Sequence, residues 1–122
     1  FYQLLTLLCH SRPQTPAERL AESALQQLQY HLKDGASLAQ IAAELHVSES
    51  YLIRIFRRRY QTTPHRCLTL LRLEQAQRLM RYSDLSLEAI SLECGFRSYA
   101  NFYKAFCAEK GENPAAVLKR LR

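Results

Sequence analysis

Two stretches of this 122-residue chain repeat one another, and that repeat limits the fold more tightly than any other feature. Leu38, Ile41, Glu44 and Leu45 recur as Leu87, Ile90, Glu93 and Cys94, each 49 residues later. Past a turn the offset becomes 50, and Ser48, Leu52, Ile55, Phe56 and Pro64 recur as Ser98, Phe102, Ala105, Phe106 and Pro114. One residue has been added in the second copy, at about Arg97. Each copy reads as a short helix, a tight turn and a longer helix. His46 and Gly95 stand at matching turn positions, where a left-handed backbone is expected. Gly adopts that conformation without strain, and His tolerates it better than most residues. The turn role accounts for His46 without any catalytic one. Two copies at so long a period do not make a solenoid, which needs three or more.

Helix start signals recur along the chain. Thr15-Pro16-Ala17-Glu18 reads as a capping box with Pro at the first helical position. Leu20, Ala24, Leu25, Leu28 and Leu32 then keep helical spacing until Gly35 ends the run. Ser37 with Gln40 opens a short helix to about Leu45, and Ser48 a third to about Tyr60. Thr63-Pro64 opens a long fourth helix to about Tyr82, with Leu68, Leu71, Ala76, Leu79 and Met80 expected to face the core. Ser86, Ser98 and Asn113-Pro114 cap three more. No segment carries a strand signal. The expected fold is therefore all-α, about seven helices. It consists of two helix-turn-helix subdomains, 15–62 and 83–122, joined by a long linker helix at 63–82. Residues 1–14, apolar over Tyr2–Cys9 and polar with a Pro over Ser11–Gln14, are expected to be the tail of an absent N-terminal domain plus its linker. The chain opens on Phe1 without a signal-peptide pattern and is read as a fragment.

Charge is unevenly placed. Residues 1–47 hold three Lys/Arg and four Asp/Glu, which leaves fourteen and seven of the seventeen and eleven in the whole chain for residues 48–122. A basic C-terminal two-thirds suits a polyanionic partner, because neutralising phosphates releases condensed counterions. Cys9, Cys67, Cys94 and Cys107 are widely spaced, with no C-x-x-C and no His pair at ligand spacing, so no metal site is expected. Cys94 and Cys107 fall at apolar helical positions and read as buried or half-buried free thiols of a reducing cytoplasm. The longest apolar stretch, around Leu4–Cys9, is too short to span a membrane.

The second helix of each copy points to the chemistry. In the first, Leu52, Ile55 and Phe56 form the expected buried stripe, and Ser50, Ile53, Arg54, Arg57 and Arg58 lie opposite. In the second, Phe102, Ala105 and Phe106 are expected inside, leaving Ala100, Tyr103 and Lys104, with Tyr99 and Asn101 near the start. The two outer faces pair as Ser50 with Ala100, Ile53 with Tyr103, and Arg54 with Lys104. Small or hydrogen-bonding residues early, and a cation one turn later, suit the major groove of DNA. Small side chains permit close approach, and Arg or Lys reaches guanine O6 and N7. An exposed Ile53 makes sense against a thymine methyl. Arg57, Arg58, Arg97, Lys119 and Arg120 are assigned to phosphates, and Arg59 is taken as a solvated charge. A linker helix of about 18 residues spans roughly 27 Å. That would set the two recognition helices near one DNA turn apart, about 34 Å.

These residues resemble a known family. The stretch Ile90 to Pro114, with Cys94-Gly95-Phe96, Phe102, Lys104, Phe106, Gly111 and Pro114, is similar to the signature of the AraC/XylS transcription regulators. The first half agrees through Ser37-Leu38, Ile41-Ala42, Leu45, Ser48, Leu52, Arg54, Phe56, Thr63-Pro64, Leu71-Arg72-Leu73 and Ala76. The resemblance covers about residues 17–122 and implies a seven-helix DNA-binding domain. It also implies a bacterial transcription regulator, usually an activator, whose separate N-terminal domain dimerises or binds an effector. Ser50, Ile53, Arg54, Tyr99, Ala100, Asn101 and Lys104 match the family's base-contacting positions. His46 departs from the commoner Gly, Glu112-Asn113 replaces a more apolar-polar pair, and Ala116-Val117-Leu118 lacks the usual aromatic-Arg ending. Lys119, Arg120 and Arg122 are the substitutes at hand for the last helix's phosphate contacts.

The resulting expectation is a sequence-specific, cytoplasmic, nucleoid-associated DNA-binding domain that uses no cofactor. Its partners would be double-stranded DNA and RNA polymerase, with the fragment monomeric and the full-length protein a dimer. An enzyme is not indicated: no Ser/His/Asp order, H-E-x-x-H, Gly-rich phosphate loop or carboxylate cluster occurs. The alternative is a protein-interaction module that contacts RNA polymerase with only non-specific DNA affinity. It would use the acidic surface of Glu18, Glu22, Asp34 and Glu44.

Overall fold

The computed structural model describes residues 15–35 and 37–122. The expected tail and linker over residues 1–14, including Cys9, lie outside the described residues. Among the described residues the chain forms seven helices and no strand. They are α1 (Pro16–Tyr30), α2 (Leu38–Glu44), α3 (Glu49–Tyr60), α4 (Pro64–Tyr82), α5 (Leu87–Glu93), α6 (Tyr99–Lys110) and α7 (Pro114–Leu121).

Every sequence-assigned cap sits at a helix start. Thr15 Oγ1 accepts from the Glu18 amide at 3.1 Å, and Ser37 and Gln40 close a reciprocal capping box. Ser48, Ser86, Ser98 and Asn113 each accept from the amide three residues on, at 2.8–3.2 Å. Each of these bonds satisfies one of the donors a helix start leaves open.

The chain divides into two compact units, the boundary falling after Leu70 inside α4. In the first unit α1 packs on α3, and α2 packs on both. Its first three helices bury Ala21, Ala24 and Leu28 of α1, Ile41 and Ala42 of α2, and Leu52, Ile55, Phe56 and Tyr60 of α3. α1 stops at Tyr30, short of the expected Gly35. His31 Nδ1 bonds the Asp34 carboxylate at 2.8 Å and stabilises a turn over residues 31–35, which closes with Gly35 at φ +75°. The centre of its buried face is Ala21 and Ala24, with Leu20 and Leu25 only half-buried. Small residues there let α1 approach α3 closely.

In the second unit one cluster unites Leu73, Ala76 and Met80 of α4 with Ile90 and Cys94. Phe96, Phe102, Phe106 and Val117 complete it. Phe102 and Phe106, one turn apart on α6, have ring centroids separated by 5.7 Å. Of the positions expected to face inward on α4, Leu71, Ala76 and Met80 are buried, while Leu68 and Leu79 are half-buried. Cys67 and Leu73 are also buried. The buried stripe is irregular because the first turns of α4 belong to one unit and the rest to the other.

The two helix pairs share their turn to the level of single hydrogen bonds. His46 has φ +60° and Gly95 φ +89°, the left-handed values expected at those positions. In the first turn His46 N–H donates to Ala43 C=O and Val47 N–H to Ala42 C=O, at 3.1 and 3.0 Å. In the second, Gly95 donates to Leu92 and Phe96 to Ser91, at the same two distances. This is the Schellman arrangement, which satisfies helix-end carbonyls and redirects the chain into the next helix.

Burial pushes the Cys67 thiol up to about 12 and, with help from Glu93, that of Cys94 to about 11, from an ordinary 9.0. Both cysteines therefore fold as neutral thiols. Their contribution to stability is complete below pH 9 and is lost as the pH rises through the folded values. With Ellman's reagent at pH 8, half-buried Cys107 should react first among the described cysteines, and Cys67 and Cys94 only on unfolding. Phe106→Ala should cost about 3–5 kcal/mol. A melt of the second unit that matches the parent would refute its place at the centre of that core.

Candidate nucleic-acid interface

On α3 the apolar stripe Leu52, Ile55 and Phe56 is buried, and that burial turns Ser50, Arg54, Arg57 and Arg58 outward, all exposed. Ile53 is half-buried rather than fully exposed. The Arg54 guanidinium lies over the Tyr51 ring, 5.2 Å from its centroid.

Arg59 is not the solvated charge its place in an Arg run suggests. Its side chain is only 10% exposed, and it reaches across to α1, to Glu22 at 3.1 Å and Glu18 at 3.5 Å. The two carboxylates, one helical turn apart on α1, form the receptor for one guanidinium. Arg59 thus fastens the recognition helix to its scaffold.

On α6, Ala100, Asn101, Tyr103 and Lys104 are exposed. Tyr99 is half-buried, its ring 6.0 Å from that of Phe102 and 6.2 Å from that of Tyr103. Burial, then the Glu88 carboxylate, raises the Tyr99 phenol above its ordinary value of 10.0, so it remains a neutral hydroxyl. Arg97 is exposed in the turn before α6. Ala105 is half-buried against the core, one step less than expected.

At the last helix, Lys119 and Arg120 are both exposed. Arg120 is gripped by both carboxylate oxygens of Glu112. That pairing raises the guanidinium and lowers the carboxyl from their ordinary values. Arg120 must therefore exchange Glu112 for any phosphate it meets, whereas Lys119 has no such competitor among the described residues. Arg122 is not a spare cation. Its guanidinium donates to the carbonyls of Met80, Ser83 and Leu85 at 3.2, 2.7 and 2.9 Å, closing the end of α4 and the loop after it.

A helix-turn-helix domain family matches residues 41–120, two-thirds of the chain. The DNA-binding domain of AdpA, a global transcriptional factor solved in complex with a target DNA, aligns at 33% identity and TM-score 0.77. That match covers 84% of this chain and 92% of the other. The chain belongs to the AraC/XylS family of helix-turn-helix regulators. It is the DNA-binding domain of that family, and the family is not one of enzymes. The C-terminal domain of AraT, a response regulator from Geobacillus stearothermophilus, aligns at 26% identity and TM-score 0.80, covering 88% of this chain and 89% of that one. The transcriptional activator RhaR of Escherichia coli is 32% identical over 121 residues, 94% of this chain and 43% of its own length. The chain spans from 26% to 43% of the length of such curated relatives.

As an AraC/XylS-type domain, the chain carries exposed cations on the outer faces of α3 and α6; of the residues expected to meet bases, Ser50, Arg54, Ala100, Asn101, Tyr103 and Lys104 are exposed, and Ile53 and Tyr99 are half-buried. Sequence reading missed the arrangement of two residues of α3. Tyr51 was overlooked, although its three-residue spacing from Arg54 is the spacing at which helical side chains meet. Arg59 was misassigned, although Glu18 and Glu22, four apart on α1, offered it a receptor. Three of the four carboxylates of the expected acidic docking surface are also already engaged: Glu18 and Glu22 by Arg59, and Asp34 by His31.

Arg59→Ala should lower the melting stability of the first unit by about 1–2 kcal/mol, between the values for exposed and buried pairs. Arg57→Ala should leave the melt unchanged while lowering DNA affinity and reducing the salt slope by about one. The opposite pattern would place Arg59 on DNA and Arg57 in the scaffold.

Proposed function

We propose that this domain reads a specific operator by placing α3 and α6 in two successive major grooves of one DNA duplex. The observation that carries the reading is the face of α3. A small hydroxyl residue, Ser50, precedes an exposed Arg54 by one turn, and exposed Arg57 and Arg58 follow toward the helix end. Ser50 permits close approach, Arg54 reaches a guanine edge, and Arg57 and Arg58 meet flanking phosphates. Ile53, half-buried, offers the remaining apolar edge to a thymine methyl. On α6, Ala100, Asn101, Tyr103 and Lys104 take the equivalent places, with the Tyr99 hydroxyl beside them. Arg97, Lys119 and Arg120 supply phosphate contacts.

The full-length protein acts as a transcription activator on this proposal, as RhaR is named. It meets RNA polymerase at the promoter, works at the nucleoid in the cytoplasm, and dimerises through an N-terminal domain. The 15–62, 63–82 and 83–122 division supplies a reader, a spacer and a second reader. Among the described residues no helix is long and apolar enough to cross a membrane.

Arg54→Ala tests the reading. On the preferred site it should cost about 1–3 kcal/mol, and the preference should relax at one position. Equal weakening on the preferred site and on random duplex would make Arg54 a phosphate contact and remove base reading from α3.

A further inference from the structure

We infer that Tyr51 is a positioning residue that commits Arg54 to base reading rather than to a neighbouring phosphate. The inference rests on the base-reading role proposed above for Arg54 and concerns how that role is enforced.

Arg54 is exposed, and nothing in the buried core holds its side chain. A free arginine of that kind has many rotamers, and it reaches either the groove floor or the backbone on binding. Tyr51 narrows the choice. It sits one turn toward the N-terminus of α3, half-buried, with Arg54 over its ring at 5.2 Å. Long helical side chains lean toward the helix N-terminus. The ring extends that lean and holds the guanidinium back over the first turn of α3. In helix-turn-helix proteins the N-terminal residues of the recognition helix are the ones that meet base edges. The ring beside it limits the orientations open to the five-donor fork, which favours a bidentate contact to guanine. The Tyr51 backbone is itself fixed, since its amide donates to the Ser48 cap at 3.1 Å.

The second unit sharpens the point. Asn101 occupies the place equivalent to Tyr51, beneath Lys104. There the aromatic pairing runs between Tyr99 and Tyr103 instead, at 6.2 Å. The cation of α3 is thus held by an aromatic ring, and Lys104 of α6 has an amide side chain in that place.

Binding of the whole chain to its preferred duplex and to a scrambled duplex, across a salt series, tests the inference in the variants Y51F, Y51L, Y51M and R54A and the double variant Y51L/R54A. Y51F keeps the ring and should bind within about twofold of the parent. Y51L and Y51M should each lose about three- to tenfold on the preferred duplex. Both should keep the parent's salt slope and its affinity for scrambled DNA. In the R54A background Y51L should cost nothing further. Y51F as weak as Y51L would overturn the inference in favour of a hydroxyl contact, and so would additive losses in the double variant. R54A weakening both duplexes equally would instead overturn the base-reading role on which the inference stands. Two aliphatic replacements guard against a folding defect peculiar to one of them.

Discussion

The left-handed turn between the short helix and the recognition helix is the constraint on which the rest of each unit depends. At His46 and Gly95 the backbone crosses to positive φ, and the next residue bonds back into the preceding helix. Those bonds fix the direction in which α3 and α6 leave the turn. Only with that direction set do Phe56 in one unit, and Phe102 and Phe106 in the other, fall inside. With them inside, the opposite face of each helix must point outward. The surface proposed to face DNA thus follows from a backbone conformation and a buried stripe, before any basic residue is considered. Gly95 adopts that conformation freely, while His46 carries the strain of a Cβ in the left-handed region.

Electrostatics divides between building and binding, and the sequence does not mark the line. Arg54, Arg57 and Arg58 face solvent, yet Arg59, next in the same run, is drawn into a pair of carboxylates on α1. Arg122, at the end of a basic segment, holds three backbone carbonyls. Arg120 stands between the two, exposed yet paired with Glu112. A count of positive residues overstates the charge available to phosphates. The helical period separates Arg59 from Arg57 and Arg58, because it alone faces α1.

Much of this was legible in the sequence for a local reason. The caps Thr15, Ser37, Ser48, Ser86, Ser98 and Asn113 act within one turn, so their side chains announce the helix starts directly. The repeat predicted the shared turn, and both left-handed residues lie where the alignment of the two copies put them. The end of α1 was not legible, because it depends on the bond between His31 and Asp34, which competes with helix continuation. The core of α4 was only partly legible, since a helix shared by two units shows no single apolar period. Arg59 and Arg122 were missed because their partners lie far away in the chain, at Glu22 and Met80. Tyr51 is the intermediate case: its contact with Arg54 is local, but an aromatic in a recognition helix reads equally well as core.

The central claim is that both units read base sequence. Selection of bound duplexes from a random library, sequenced at two salt concentrations, tests it most directly. The account predicts a motif with two specified segments about one helical turn, roughly 10.5 base pairs, apart that persists at the higher salt. A single specified segment would leave α6 as a positioning helix. Binding without any enriched motif, lost at moderate salt, would contradict sequence-specific reading altogether.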